Sequence, residues 1–152
     1  MSEIRRHHTA SAPPAIGPYS QSIEVDGWLY TSGQVGLDPA TGELVSGGFE
    51  PQCRRVFANL GAVLASGGCR YRDVAKAVVF LADMSDFPTL NGIYAEAFGD
   101  HKPARSTVAV AAEAPLPRIV TCLVAPSGTT SRVISRRWSG RAGFDSVTGL
   151  LL

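Results

Sequence analysis

A single apolar stripe runs through the segment from Phe49 to Leu64. Its members recur every three or four residues and are Phe49, Cys53, Val56, Phe57, Leu60, Val63 and Leu64. This spacing places all of them on one face of an α-helix, and the pair Gly67-Gly68 supplies a stop signal. Because an amphipathic helix must bury its apolar face, the segment requires a sheet or a second helix to pack against.

The residues before that helix are typical of strands and turns. Two β-prone runs, at about 19–25 and 28–33, flank Asp26-Gly27, the dipeptide that a two-residue type I′ hairpin turn favours. The first dozen residues are interpreted as a loose lead-in to this hairpin. The segment 33–48 is interpreted as a loop rich in turns, with room for a short strand at Glu43–Val45.

The residues after the first helix predict a strand, a second helix and two further strands. The strand at 73–84 contains a continuous apolar run from Ala77 to Ala82, which predicts burial on both of its faces. The second helix takes Ser85 or Asp86 as its N-cap. Its apolar face comprises Phe87, Leu90, Ile93 or Tyr94, Ala97 and Phe98, and the strands at 104–112 and 118–125 follow.

The order β-β-(β)-α-β-α-β-β predicts an α+β fold with a mixed six-stranded sheet. Right-handed crossovers place both helices on one face of that sheet. The strands nevertheless carry apolar or small residues on both sides, such as Ala109 and Ala111 against Val108 and Val110. The uncovered face is therefore expected to bind another copy of the chain, sheet against sheet, in a homo-oligomer.

Length and composition indicate one globular domain, with 152 residues, 45% of them hydrophobic and 18% charged. No apolar run approaches the roughly 18 residues of a membrane-spanning helix, and the first residues contain no hydrophobic signal segment, which predicts a cytoplasmic protein. Cys53, Cys69 and Cys122 form no C-x-x-C pair. They are therefore assigned to packing and not to a disulfide framework or a metal site.

The charge is unevenly distributed along the chain. Residues 1–111 carry nine Lys or Arg against eleven Asp or Glu, a net charge of −2, whereas residues 112–152 carry five Arg against two acids, a net charge of +3. The first part therefore has no basic field that would attract nucleic acid. Its glycine-rich loop contains neither G-K-[ST] nor G-x-G-x-x-G, so a nucleotide site is not expected.

Arg105 stands at the start of the strand predicted at 104–112. Strand alternation puts Arg105 and Thr107 on one face and Ser106 and Val108 on the other. Because the valines suit a helix-covered core, Arg105 is expected to face the oligomer side, where its guanidinium requires an anionic partner. That partner is either an Asp of a neighbouring subunit or the carboxylate of a ligand, and periodicity does not distinguish the two.

Five segments of the chain share a pattern with a known family. In chain order they are APPAIGPYSQ (12–21), TSGQVGLDPATGELV (31–45), NLGAVLASGG (59–68), DVAKAVVFLADMSDFPTLNGIYAEAF (73–98) and PARSTVAVA (103–111). Together they resemble the Rid family, the YjgF-type enamine/imine deaminases. The resemblance continues in pattern to residue 125, which predicts a Rid-type domain at 1–125 and an atypical Arg/Ser/Gly-rich tail at 126–152, for which disorder is one interpretation.

The resemblance implies a chorismate-mutase-like fold and a homotrimer with clefts between its subunits. It also implies hydrolysis of 2-imino acids such as 2-aminoacrylate/2-iminopropionate to a keto acid and ammonia, without a metal or organic cofactor. Arg105 matches the family arginine that grips the substrate carboxylate, and Tyr19, Ser32, Gly33 and Asn91 match positions that line the same cleft.

These residue types suit the implied chemistry. A bidentate arginine fixes the position and orientation of an imino acid, and backbone N–H groups of the Ser32-Gly33 turn can stabilise the charge that develops when water attacks the C=N carbon. Tyr19 can hydrogen-bond substrate or water, and its alternative role is that of a buried aromatic at a subunit seam. Asn91 is either a ligand of the substrate or a surface amide of the second helix.

The last strand departs from the family pattern. The family glutamate that orients the attacking water is replaced, in an alignment without gaps, by Val120, with Cys122 two residues on. Glu113 is seven residues before Val120 and could substitute only if the chain folds back. Two explanations stay open: a divergent member that binds imino or keto acids with altered catalysis, or a coding sequence that shifted frame near residue 112.

Two functions therefore compete on the sequence alone. One is an imine/enamine hydrolase that removes reactive intermediates. The other is a non-catalytic or weakly active Rid-like trimer that holds small carboxylates through Arg105, which the valine at position 120 favours. A third function, RNA binding or cleavage, is disfavoured by the near-neutral charge of the first 111 residues and by the lack of a catalytic histidine pair.

Overall fold

The structure is a computed structural model that describes residues 3–111 and 119–126, and for 119–124 it describes the backbone alone. Its strands are β1 (Ile4–His7), β2 (Ser22–Val25), β3 (Trp28–Thr31), β4 (Lys76–Leu81), β5 (Ala104–Ala109) and β6 (Ile119–Pro126). Its helices are α1 (Phe49–Ser66) and α2 (Phe87–Phe98), with short 3₁₀ turns at Tyr71–Asp73 and Met84–Asp86. The described strands form one sheet in the order β1-β2-β3-β6-β4-β5. Within it β4 and β5 are parallel and the other neighbours antiparallel.

The strands differ in two places from those that the sequence predicts. The N-terminal residues do not form a loose lead-in, because Ile4–His7 pairs with β2 as the edge strand. A short run with two arginines has no apolar alternation to signal a strand, and its charges instead protect an open sheet edge. The predicted strand at Glu43–Val45 is reduced to a single bridge between Leu37 and Leu44.

The predicted hairpin is confirmed. The turn between β2 and β3 has φ values of 51° at Asp26 and 77° at Gly27. Two successive residues with positive φ define the type I′ geometry whose twist matches that of the flanking strands.

Both helices cover the same face of the sheet and share one hydrophobic core. All seven members of the predicted α1 stripe are buried, and α2 buries Leu90, Ile93, Tyr94 and Phe98. Burial raises the pKa of the Cys53 thiol to about 12, so this cysteine packs in the core as an inert thiol. Asp86 occupies the N-cap position of α2 without a capping side-chain hydrogen bond, while Asp83 accepts one from the Ser85 N–H.

The orientation predicted for β5 is wrong. Arg105 and Thr107 pair with the buried Ala77 and Val79 of β4 and therefore lie on the helix-covered face of the sheet. Val108 is 43% exposed on the opposite face. An edge strand leaves room at its rim for a long side chain to reach solvent, so the helix-covered side accommodates arginine while the valine lies outside.

The other face of the sheet is mainly apolar, apart from the hydrogen-bonded pair Lys76 and Ser106, and is left uncovered by the described residues. Its exposed members are Trp28, Tyr30, Val108 and Val110, each with 41–43% of its surface accessible. Val78 and Phe80 on β4 are half-buried, so β4 alternates in burial and is not buried on both faces within one chain. We refer to the six apolar residues of this face as the open face; they are Trp28, Tyr30, Val78, Phe80, Val108 and Val110. Neither described helix is long and apolar enough to cross a membrane.

Candidate functional site

Arg105 lies at a cavity of about 500 Å³ between the end of α2 and the loop that enters β5. The lining residues are Asn91, Tyr94, Ala95, Phe98, Gly99, His101, Lys102, Pro103 and Arg105. We call this the Arg105 cavity. The structure therefore brings together Arg105 and Asn91, two of the residues that the sequence singles out.

Two aromatic rings of α2 support the Arg105 guanidinium. Its central carbon lies 4.7 Å from the ring centroid of Tyr94 and 5.3 Å from that of Phe87. Such contacts hold the planar group by cation–π attraction and leave its edge free for a planar anion. Among the described residues, no carboxylate forms an ion pair with Arg105.

Tyr94 is a component of this site that sequence analysis assigned only to the core. Burial raises the pKa of its phenol, and the nearby Arg105 charge lowers the pKa in part, so the group is neutral at physiological pH. Its hydroxyl is buried and makes no hydrogen bond within the described part of the chain. The i, i+7 spacing of Phe87 and Tyr94 was the available signal, since it places both rings on one face of α2.

Two of the other three predicted residues line a second, smaller cavity of about 220 Å³, and Ser32 is not part of its wall. Its walls include Tyr19 and Gly33, and we call it the Tyr19 cavity. Tyr19 is 50% exposed, and its hydroxyl accepts a hydrogen bond from the Ile16 N–H at 3.4 Å. The phenol is therefore accessible and only weakly engaged.

The Ser32-Gly33 turn presents one backbone donor, not two. The Ser32 N–H donates to the Gln21 carbonyl at 2.9 Å, and the Ser32 hydroxyl donates to the Ser20 carbonyl. Of the two N–H groups, only that of Gly33 lacks an acceptor among the described residues. The turn can therefore offer the Gly33 N–H to a ligand, while Ser32 holds the backbone in place.

The two cavities are separate within one chain. Tyr19 and Gly33 adjoin β2 and β3, whereas Arg105 is the second residue of β5, and β6 and β4 lie between them in the sheet. The three spacings between neighbouring strands from β3 to β5 add up to roughly 14 Å. None of the described cavities is lined by both groups, so a site that uses all five predicted residues requires a second copy of the chain.

Gln21 organises the Tyr19 cavity and was not identified from the sequence. It is 2% exposed, and its side-chain amide donates to the carbonyls of Thr9, Ala12 and Pro13 at 3.0, 3.2 and 2.8 Å. Its side-chain oxygen accepts from the Thr9 N–H at 2.7 Å. This one amide therefore ties the N-terminal segment to the hairpin.

We expect Gln21→Glu to destabilise the fold although it preserves the shape of the side chain. A carboxylate cannot donate to the three carbonyls it faces, and leaving such groups unsatisfied costs about 3 kcal/mol of unfolding free energy. The melting temperature is expected to fall by roughly 6–12 °C at pH 7 in a thermal scan.

The control for this prediction is to compare the stability of the Gln21→Glu variant with that of wild type at two pH values. Burial against the three carbonyl oxygens raises the pKa of the new carboxyl in the folded state, so its protonated form, which can donate again, favours the folded chain below that pKa. The deficit relative to wild type is expected to be smaller at pH 4 than at pH 7. Equal deficits at both pH values would assign the loss to packing.

For residues 119–124 of the last strand, the structure describes the positions of the backbone alone. Within β6, Val120 is paired with Phe80 and Cys122 with Val78 of β4. Glu113 and the segment 127–152 lie outside the described residues. No group of three or more His, Cys, Asp or Glu in the described ranges could hold a metal ion.

Comparison with known proteins adds sequence and structural relatives. Residues 9–119 match the family model described as Endoribonuclease L-PSP. The chain is 50% identical over 120 residues to the 2-iminobutanoate/2-iminopropanoate deaminase of Mus musculus, covering 78% of this chain and 87% of that protein. It is 48% identical over 104 residues to the protein of the same name from Homo sapiens, covering 68% and 76%.

Solved structures of similar proteins have the same fold. RidA from the Antarctic bacterium Psychrobacter sp. superposes with a TM-score of 0.76 at 37% identity, covering 80% of this chain and 98% of that one. E. coli TdcF with bound serine superposes with a TM-score of 0.75 at 33% identity, again covering 80% and 98%.

Proposed function

The chain belongs to the Endoribonuclease L-PSP family, also called the YjgF or Rid family, and on that premise we propose that it is an imine/enamine deaminase. Its substrates are reactive 2-imino acids such as 2-iminopropionate, in equilibrium with the enamine 2-aminoacrylate. Water adds to the C=N carbon, the C–N bond breaks, and the products are a 2-keto acid and ammonia. The observation that carries the proposal is the Arg105 guanidinium at the Arg105 cavity, which forms no ion pair with any described residue, in a chain about half identical to named deaminases.

Arg105 has the chemistry to hold the substrate carboxylate. Its fork can donate two parallel hydrogen bonds, which fixes the imino carbon relative to the protein. Asn91 lines the same cavity and can hydrogen-bond the imino nitrogen or the developing amine. The neutral phenol of Tyr94 adds a buried hydroxyl beside the guanidinium, and this hydroxyl has no hydrogen-bond partner in the described part of the chain.

We infer that the active unit is a homotrimer of chorismate-mutase-like subunits with clefts between them. The open face supplies an apolar surface for sheet-to-sheet packing, which supports assembly. Assembly would also bring the Tyr19 cavity of one protomer to the Arg105 cavity of the next. In that arrangement Tyr19 acts catalytically by hydrogen-bonding the attacking water, and Gly33 stabilises charge on the substrate through its N–H.

We infer that the catalytic domain is 1–125 and that the tail at 126–152 is an appendage to it. The family match ends at residue 119, the first residue of β6, and β6 itself ends at Pro126, which supports a boundary close to that strand. The net charge of −2 over residues 1–111 argues against nucleic acid as the substrate.

The alternative function is binding of small carboxylates without turnover. It is favoured by Val120, which replaces the family glutamate and can neither accept a proton nor hold a water. The intact Arg105, Asn91, Tyr19 and Gly33 suit both functions.

The test is a direct assay of 2-aminoacrylate generated enzymatically in the presence of the protein. We expect faster disappearance of the imine and stoichiometric release of pyruvate and ammonia. Val120→Glu separates the alternatives: a binding protein with a preserved site gains activity only on that substitution. No acceleration by the assembled wild-type protein would contradict the deaminase proposal.

A further inference from the structure

The Arg105 cavity is larger than a three-carbon imino acid requires. Its volume of about 500 Å³ equals the liquid volume of roughly sixteen water molecules. A substrate held by Arg105 therefore leaves unfilled space, and the groups that line this space determine which side chain it accepts.

The spare part of the cavity is positively charged. Lys102 lines it together with Arg105, and no Asp or Glu contributes to the described wall. The Lys102 ammonium donates only to the Gly99 carbonyl, at 3.2 Å, and forms no ion pair within residues 3–111 and 119–126. An ammonium has three donors, so it can also bind an anion in the cavity.

The chain holds the two cations at a limited distance from each other. Lys102 and Arg105 are three residues apart, which limits their Cα separation to about 10 Å, and Pro103 restricts the backbone between them. The neighbouring His101 ring contacts the Val74 carbonyl at 2.6 Å, which anchors this loop to the body of the domain. The second cation is therefore carried on a fixed segment.

We propose that Lys102 is a specificity-determining residue that binds a second carboxylate, so that the preferred substrates are 2-imino diacids of four or five carbons. The inference rests on the proposed function and names its substrate class. Arg105 takes the carboxylate next to the imino carbon through its planar fork, and Lys102 takes the side-chain carboxylate as a point charge. The reaction itself is unchanged: water adds, ammonia leaves, and a 2-keto diacid results.

The experiment compares 2-iminoglutarate with 2-iminopropionate in the wild-type protein, Lys102→Gln and Lys102→Glu. We expect wild type to prefer the diacid in kcat/KM. Lys102→Gln should lower kcat/KM for the diacid by roughly fivefold or more while changing that for 2-iminopropionate less than twofold. Lys102→Glu should reverse the preference, because a like charge then faces the second carboxylate.

Arg70→Gln is the matched control. Arg70 is an exposed residue whose side chain lies 4.0 Å from Asp73 and outside the cavity. The Arg70→Gln variant removes the same charge and is expected to leave kcat/KM unchanged for both substrates. Absence of a diacid preference in wild type, or an equal effect of Lys102→Gln on both substrates, would overturn the inference.

A binding measurement separates this inference from the proposed function. Calorimetry with the product analogues 2-oxoglutarate and pyruvate reports on the cavity even if the protein turns over no imine. Tighter binding of 2-oxoglutarate that is lost in Lys102→Gln supports the second carboxylate site in that case. Equal affinity for the two keto acids refutes it.

Discussion

Arg105→Met is expected to lower kcat/KM for 2-iminopropionate by roughly 30- to 4,000-fold. Methionine keeps an apolar stem against the rings of Tyr94 and Phe87 but removes the two charge-assisted hydrogen bonds to the substrate carboxylate. Truncating one partner of such a pair costs about 2–5 kcal/mol, and about 1.4 kcal/mol corresponds to a factor of ten. Steady-state kinetics with enzymatically generated imine measures the loss.

Two further variants show whether the guanidinium geometry matters. Arg105→Lys retains the charge without the planar fork and is expected to lose at least about tenfold, because a point charge cannot fix the orientation of the carboxylate. Arg70→Met removes an exposed arginine away from the Arg105 cavity and should change kcat/KM less than twofold. Wild-type activity in Arg105→Met, with an unchanged melting temperature, would show that Arg105 does not bind the substrate carboxylate.

Val108→Asp is expected to dissociate the oligomer and to abolish activity together with it. Val108 is 43% exposed in the single chain and belongs to the open face. Burying an unpaired carboxylate in an apolar interface costs several kcal/mol for each protomer, which raises the dissociation constant by a factor of more than about 10³. Sedimentation velocity should then find the 16.0 kDa chain in place of the assembly.

Loss of activity in that variant follows from the separation of the two cavities. In the dissociated chain, the Tyr19 cavity has no neighbouring subunit whose Arg105 cavity it could complete. Met84→Asp is the matched control, since Met84 is similarly exposed at 45% but lies in the turn before α2, away from the open face. A wild-type protein that sediments as a single chain, or a Val108→Asp variant with unchanged mass, would contradict sheet-to-sheet assembly.

The elements that local patterns describe were predicted well. The α1 stripe and the Asp26-Gly27 turn follow from helix periodicity and from the backbone angles that a type I′ turn requires, and both are short-range properties. β1 escaped prediction because its stability comes from pairing with β2, a contact about twenty residues away along the chain. A charged run that forms an edge strand leaves no periodic signal.

The sequence proposes residues for the candidate site but not their arrangement. The segments that resemble the Rid family nominate Arg105, Asn91, Tyr19, Ser32 and Gly33 by position. They did not indicate that Tyr94 and Phe87 support the guanidinium, that the Ser32 N–H is already bonded, or that Lys102 lines the same cavity as Arg105. These are contacts between elements, which alternation within a single element does not encode.

The sequence by itself determined the two helices, the hairpin, the family and the residues that carry charge, because periodicity, turn chemistry and shared motifs act over short stretches of chain. Only the tertiary structure decided which face of the sheet Arg105 occupies. Strand alternation predicts two sets of side chains but not which set meets the helices. The pairing of β5 with the buried residues of β4 settles it, placing the arginine against α2 and the valines on the open face.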